Sequence, residues 1–107
     1  MIQPLTHVQR RDWLRLARTE NVGAVTFDQL IQRYGDAALA LEALPELSRR
    51  GGRTGRLDIP TEAQAERELS DGAALGARLI ASCEPDFPHL LAALDPPPPL
   101  IWTRGNP

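Results

Sequence analysis

The sequence predicts a mainly α-helical N-terminal domain followed by the opening elements of an α/β domain. Three observations carry this prediction. Apolar residues recur at helical spacing in three successive segments before residue 50. A break, RRGGRTGRLDIP, follows with hardly an apolar residue in it. Beyond the break a helical pattern, a compact apolar run, a short helical pattern and a second apolar run alternate. That alternation is how a chain enters an α/β sheet.

In RRDWLRLART, Trp13, Leu16 and Ala17 fall at i, i+3 and i+4, and Leu14 widens the stripe. Arg10, Arg11, Arg15 and Arg18 lie mainly off it, so this helix is expected to carry a basic outer face. His7 precedes it in a segment expected to fray. In ENVGAVTFDQLIQRYGDA, Thr26 and Gln29 have the form of a capping box. Phe27, Leu30, Ile31 and Tyr34 then mark one face, and Gly35 is placed to close the helix in a left-handed conformation. The short link TENVGAV makes these two helices a hairpin. In DAALALEALPEL, Asp36 suits an N-cap and Leu41 and Leu44 continue the core face. Pro45 is expected to interrupt that helix, with a second short turn from Leu47 to Arg50.

After the Arg- and Gly-rich loop, Thr61 and Gln64 form another candidate capping box. Ala65, Leu69 and Ala73 share one face, and Gly76 is a stop. ARLIASC is a compact apolar run ended by Glu84 and Pro85, hence a short strand. DFPHLLAAL reads as a short helix opened by Asp86, with Pro88 in its first turn. The prolines of DPPPP then act as a stiff spacer that aims LIWT into a sheet as a second short strand, with Trp102 as a packing residue.

Composition excludes several classes. The net charge of −2 gives no global basic field. Every basic residue is Arg; nine Arg stand against seven acids through Asp58, and three against seven from Glu62 onward. The single cysteine, Cys83, cannot form an internal disulfide and is expected to be buried and inert. No stretch approaches the roughly 20 apolar residues of a membrane helix, and no apolar signal core opens the chain. A cytoplasmic location is expected.

The candidate chemistry is binding rather than catalysis. His7 and His89 are the only histidines, and no metal-ligand spacing appears. A Cys83–His89 pair lacks an orienting third residue. No cofactor, no metal and no enzymatic activity are expected, since no glycine-rich phosphate fingerprint follows either strand. Two stretches could instead meet a nucleic-acid backbone. In NVGAVTFDQL, Gly23, Ala24 and Val25 lie where a hairpin loop enters a helix, and backbone N–H groups there can cradle a phosphate. The stretch resembles the helix-hairpin-helix motif, with Val22-Gly23 at the turn. It departs from that motif in having Asn21 where an earlier glycine is usual, and in having no Lys after the turn. The alternative is a plain tight turn. The second stretch, with Arg49, Arg50, Arg53 and Arg56 in a Gly-rich segment, either tracks a backbone or is a solvated linker.

The last third is more specific. EPDFPHLLAALDPPPPLIWTRGNP presents Asp86, Phe87-Pro88, the Leu90-Leu91 pair, Asp95-Pro96-Pro97, an apolar strand from Leu100 to Thr103, and Gly105-Asn106. In that order and spacing it resembles the entry segment of the DNA-processing protein A family (DprA, also called Smf). The upstream VGAVTFDQLIQRYGD suits that family's N-terminal helical domain, which is SAM-like or helix-hairpin-helix-like. The resemblance runs from about Trp13 to Asn106. It implies a non-catalytic protein that binds single-stranded DNA, protects incoming strands in natural transformation and loads the RecA recombinase. It also implies that residues 1–57 are the helical domain, and that residues 58–107 are a linker and the first elements of an extended Rossmann domain. The Gly-Ser-Arg-type loop of the family's DNA pocket would follow the next strand, beyond Pro107. The main DNA site, the homodimer surface and the RecA-facing surface would lie there too. A second reading makes the helical domain a protein-interaction module that docks a regulator or another copy of itself.

Overall fold

The computed structural model describes residues 4–52 and 57–104. Four longer helices come first: α1 (His7–Ala17), α2 (Ala24–Tyr34), α3 (Ala37–Arg50) and α4 (Glu62–Ala74). Strand β1 (Ala77–Ala81), the single turn α5 (His89–Ala92) and strand β2 (Leu100–Arg104) complete the order. The described residues form a mainly helical unit with a small two-stranded sheet.

Helix α1 starts earlier than its apolar stripe suggested. Thr6 and Gln9 make a reciprocal capping box: the Gln9 N–H donates to Thr6 Oγ1 (3.1 Å) and the Thr6 N–H to Gln9 Oε1 (2.9 Å). His7 therefore sits in an ordered first turn, not in a frayed end. Helix α2 also begins before the expected cap. Its N-cap is Gly23, and the Phe27 N–H already bonds the Gly23 carbonyl at 2.9 Å, so Thr26 lies within the first turn. Gly35 ends α2 at φ +86°, the left-handed conformation expected of it. Asp36 caps α3, accepting from the Leu39 N–H at 2.7 Å.

Pro45 does not break α3, which runs unbroken from Ala37 to Arg50. A proline removes one hydrogen-bond donor and crowds one carbonyl. Here its ring is exposed while Leu41 and Leu44 are buried, and their packing holds the helix through the gap.

The core lies on two sides of α1. Trp13 and Leu16 join Phe27, Leu30, Ala37, Ala40, Leu41 and Leu44 in one cluster, with Trp13 and Phe27 in an edge-on contact at 4.9 Å between ring centroids. Leu14 points the other way, into a second cluster with Ala65 and Leu79. Widening the α1 stripe by one leucine is thus what lets α4 and the sheet pack on the helical hairpin.

The strands pair antiparallel, with Leu79 opposite Trp102 and Ile80 opposite Ile101. Trp102 packs as expected, half-buried against α4. Its ring lies so close to Gly72 that a Cβ there would stand 2.3 Å from it. Only a residue without a side chain lets α4 approach the sheet this closely. Two local expectations at the sheet are corrected. Asp86 does not cap α5; it pairs with Arg78 (3.0 Å), and α5 starts after Pro88. Cys83 is exposed rather than buried, because β1 ends at Ala81 and the thiol lies in the turn beyond.

Candidate nucleic-acid interface

The expected basic face of α1 is neutralised. Arg10 reaches both carboxylate oxygens of Glu84 and also donates to the Leu79 and Leu5 carbonyls (each 3.1 Å). Arg11 pairs with Asp12 (3.2 Å), Glu62 (3.5 Å) and Glu66 (3.8 Å). Arg15 donates to the Pro60 carbonyl at 2.9 Å and lies 3.6 Å from Asp12. Arg18 meets Glu68 at 3.0 Å, and His7 meets Glu66 at 2.6 Å. The physical reason is that α4 packs along α1, and its first turns present Glu62, Glu66 and Glu68 to the guanidinium row. Glu62 and Glu66 stand one turn apart on α4, and Arg11 alone meets both of them, a pairing that no spacing in the sequence announces.

Glu84 and Asp12 are the most enclosed of these acids. Besides Arg10, Glu84 accepts from the Ala81 N–H (2.8 Å) and the Leu5 N–H (3.0 Å), tying the end of β1 to the segment before α1. Burial pushes the Glu84 carboxyl up. The hydrogen bonds from Arg10, Ala81 and Leu5, with the charge of Arg10, outweigh that and hold it below the ordinary glutamate range. Glu68 behaves alike: burial raises it, while Arg18 and the Trp102 indole N–H (3.2 Å) bring it down. Although the residue is exposed, the partial desolvation of its sulfur and the neighbouring Glu84 charge push the Cys83 thiol up, so it is not an activated nucleophile. Among the described residues Cys83 and His89 share no hydrogen bond, and no three potential ligands cluster to hold a metal.

The start of α2 is built differently. Thr6, Asp36 and Thr61 cap α1, α3 and α4 with side-chain oxygens, but Gly23 offers none to α2. The N–H groups of Ala24, Val25 and Thr26 come before the first intrahelical bond and have no carbonyl of their own helix to reach. Gly23, Val25 and Thr26 are exposed, and nothing stands within 4 Å of where a Cβ on Gly23 would be. Asn21 takes φ +67°. It adopts the left-handed conformation that a glycine would favour, which explains how this turn forms without the usual earlier glycine. The turn is anchored from behind: the Val22 N–H bonds the Thr19 carbonyl (3.1 Å) and the Glu20 N–H the Asp58 carbonyl (3.0 Å).

The arginines of the second stretch divide. Arg49 and Arg50 belong to the last turn of α3, not to a loop, and both are drawn to Glu46, Arg50 at 3.3 Å. Both remain exposed. Arg53 and Arg56 lie outside the described residues. Val22 beside the hairpin turn and Leu47 near the end of α3 pack on the same core cluster. No hydrogen bond or ion pair joins the two candidate stretches among the described residues.

Comparison with known proteins decides the family. The family model for the DprA-like N-terminal HHH domain matches residues 7–70 of the 107. The chain belongs to that family. The match takes in α1 to α3 and most of α4, so the DprA-like domain includes both the hairpin turn at Gly23 and the acidic helix over the α1 arginines. No curated protein matches the chain. No helix among the described residues of this DprA-like chain is long and apolar enough to cross a membrane.

Proposed function

We propose that this chain is the N-terminal portion of a DprA-like protein that binds single-stranded DNA without catalysing a reaction. In this reading it works in the cytoplasm, protects incoming strands in natural transformation and hands them to the RecA recombinase. The residues that follow the matched domain, from about 71 onward, then open an extended Rossmann domain, and the full-length protein pairs as a homodimer. Membership of the DprA-like N-terminal HHH family carries the proposal.

Within it, the hairpin at Gly23 is the contact for one DNA phosphate. Uncapped amides and the positive end of the α2 dipole favour an anion there. Such a contact fixes the strand without reading its sequence. The α1 arginines are not part of it, being engaged with carboxylates. Arg49 and Arg50, with Arg53 and Arg56, add diffuse positive charge.

The test is a salt titration of binding to a single-stranded oligonucleotide, with the full-length protein and with residues 1–107 side by side. The full-length protein should bind with an affinity that falls linearly in log–log form as salt rises. Residues 1–107 should bind far more weakly. No salt-sensitive binding by the full-length protein would overturn the reading. Tight binding by residues 1–107 alone would move the principal DNA site into this domain.

A further inference from the structure

A cleft on the far side of α1 has a chemistry that DNA does not fit. It lies between the first turns of α1, the α2–α3 junction and the turn after β1, and encloses about 320 Å³. That is the low end of ligand-binding cavities, enough for one or two side chains. Its walls are mostly apolar and include Leu5, Val8, Trp13 and Ile31. Among the described residues, the only charged ones lining it are acids, Asp12 and Asp36.

Asp12 is the unusual member. It is 94% buried, since only 6% of its surface is exposed. Its contacts to Arg11 (3.2 Å) and Arg15 (3.6 Å) both use Oδ1. Among the described residues Oδ2 has no partner. An ionised carboxylate can accept on both oxygens, so Oδ2 leaves room for one further donor. Asp36 adds a second negative charge at the cleft, and one of its oxygens is already engaged in capping α3.

We infer that this cleft receives an arginine side chain from a partner polypeptide, with an apolar neighbour of that arginine seated on Val8 and Leu5. The occupant follows from charge complementarity. A guanidinium supplies planar donors for a carboxylate, stacks on an indole such as Trp13, and desolvates more readily than an ammonium. An apolar stem beside it fits the walls. A phosphate would meet only carboxylates here and is excluded by charge. The surface is separate from the DNA contact at Gly23, and the inference does not depend on that contact.

The probe is the peptide acetyl-Leu-Arg-Leu-amide, titrated into the full-length protein and followed by backbone and indole NMR shifts. Shifts should centre on Gln9, the Trp13 indole, Gly35 and Ala38, with a dissociation constant in the millimolar range, about 1 mM. The citrulline peptide, a neutral isostere, should bind about tenfold more weakly. Ala38→Leu fills the cleft from an exposed helical position and should abolish the shifts with the fold intact. Asp12→Asn should weaken arginine binding while leaving the citrulline peptide unaffected. Equal binding of the two peptides, or retained binding in Ala38→Leu, would overturn the inference. So would concentration-dependent shifts at these residues without peptide, which would put a second copy of the chain in the cleft.

Discussion

The row of arginines on α1 and the start of α2 look like rivals for the same anionic ligand, and the structure treats them in opposite ways. Four guanidinium groups on or just after α1 are each matched to a carboxylate or carbonyl. The start of α2 has no charge at all, yet it keeps its amides uncapped. The difference teaches that a basic residue count measures supply, not availability. In a chain of net charge −2, arginines are as apt to hold helices together as to hold phosphate. The α1 face is therefore a structural element, and the α2 start is the proposed contact.

If that contrast is right, breaking the pairs on α1 should cost stability rather than DNA affinity. The largest effect is expected at the Arg10–Glu84 pair, whose acid is almost fully enclosed. Glu84→Ala strands Arg10 and two backbone N–H groups, and should lower unfolding free energy by about 3 kcal/mol in urea titrations at neutral pH. Oligonucleotide affinity of the folded protein should not change. Gly72→Leu comes next. It drives a side chain into the Trp102 ring and should cost about 1–3 kcal/mol, with altered tryptophan fluorescence as a second readout.

The same pair should contribute to the acid limb of stability. The Glu84 carboxyl is held below its ordinary value in the fold. Its contribution is complete above the unfolded-state pKa, about 4.3, and is lost as pH falls through the lower folded value. Glu84→Gln should flatten the acid limb in urea titrations run as a pH series. An unchanged limb would mean that other carboxylates carry it.

How much of this was legible in the sequence varies with the physics involved. Helix stripes were legible because burial follows periodicity, so Phe27, Leu30, Leu41 and Leu44 fall where the spacing put them. Caps were legible where one side chain does the work, as at Asp36 and Thr61. The Thr6–Gln9 box carried the same signal, but it lay outside the apolar stripe that defined α1. The start of α2 was misplaced because Thr26 offers a cap that the chain does not use; Phe27 must follow Gly23 by one turn to meet Trp13. Pro45 shows tertiary packing overriding a local breaker. The fate of the α1 arginines was hidden because it depends on α4, more than 40 residues away in sequence, as the 50-residue separation of Arg18 and Glu68 shows. The candidate contact at Gly23 was found by motif, while its openness came only from seeing the other helices capped.

A smaller effect probes the cover on α1 directly. The pairs of Arg11 with Glu62 and Glu66 are partly exposed and long, so removing them should cost less than about 1 kcal/mol. The double change Glu62→Gln with Glu66→Gln should nevertheless free charge on Arg11. Oligonucleotide affinity should then rise slightly, with a steeper salt dependence. No rise would mean that Asp12 alone suffices to occupy Arg11.

In the proposed function an uncharged helix start, and not the arginine row, meets DNA. The most direct measurement compares single-stranded oligonucleotide affinity for Gly23→Asp and Arg11→Gln in the full-length protein. Gly23→Asp has room for its side chain, caps the α2 amides and places a negative charge before them. It should leave stability unchanged or slightly raised and weaken DNA binding by about threefold or more. Arg11→Gln should leave DNA binding at the wild-type level. The reverse order, with Gly23→Asp silent and Arg11→Gln weakened, would place the DNA contact on the α1 arginines instead.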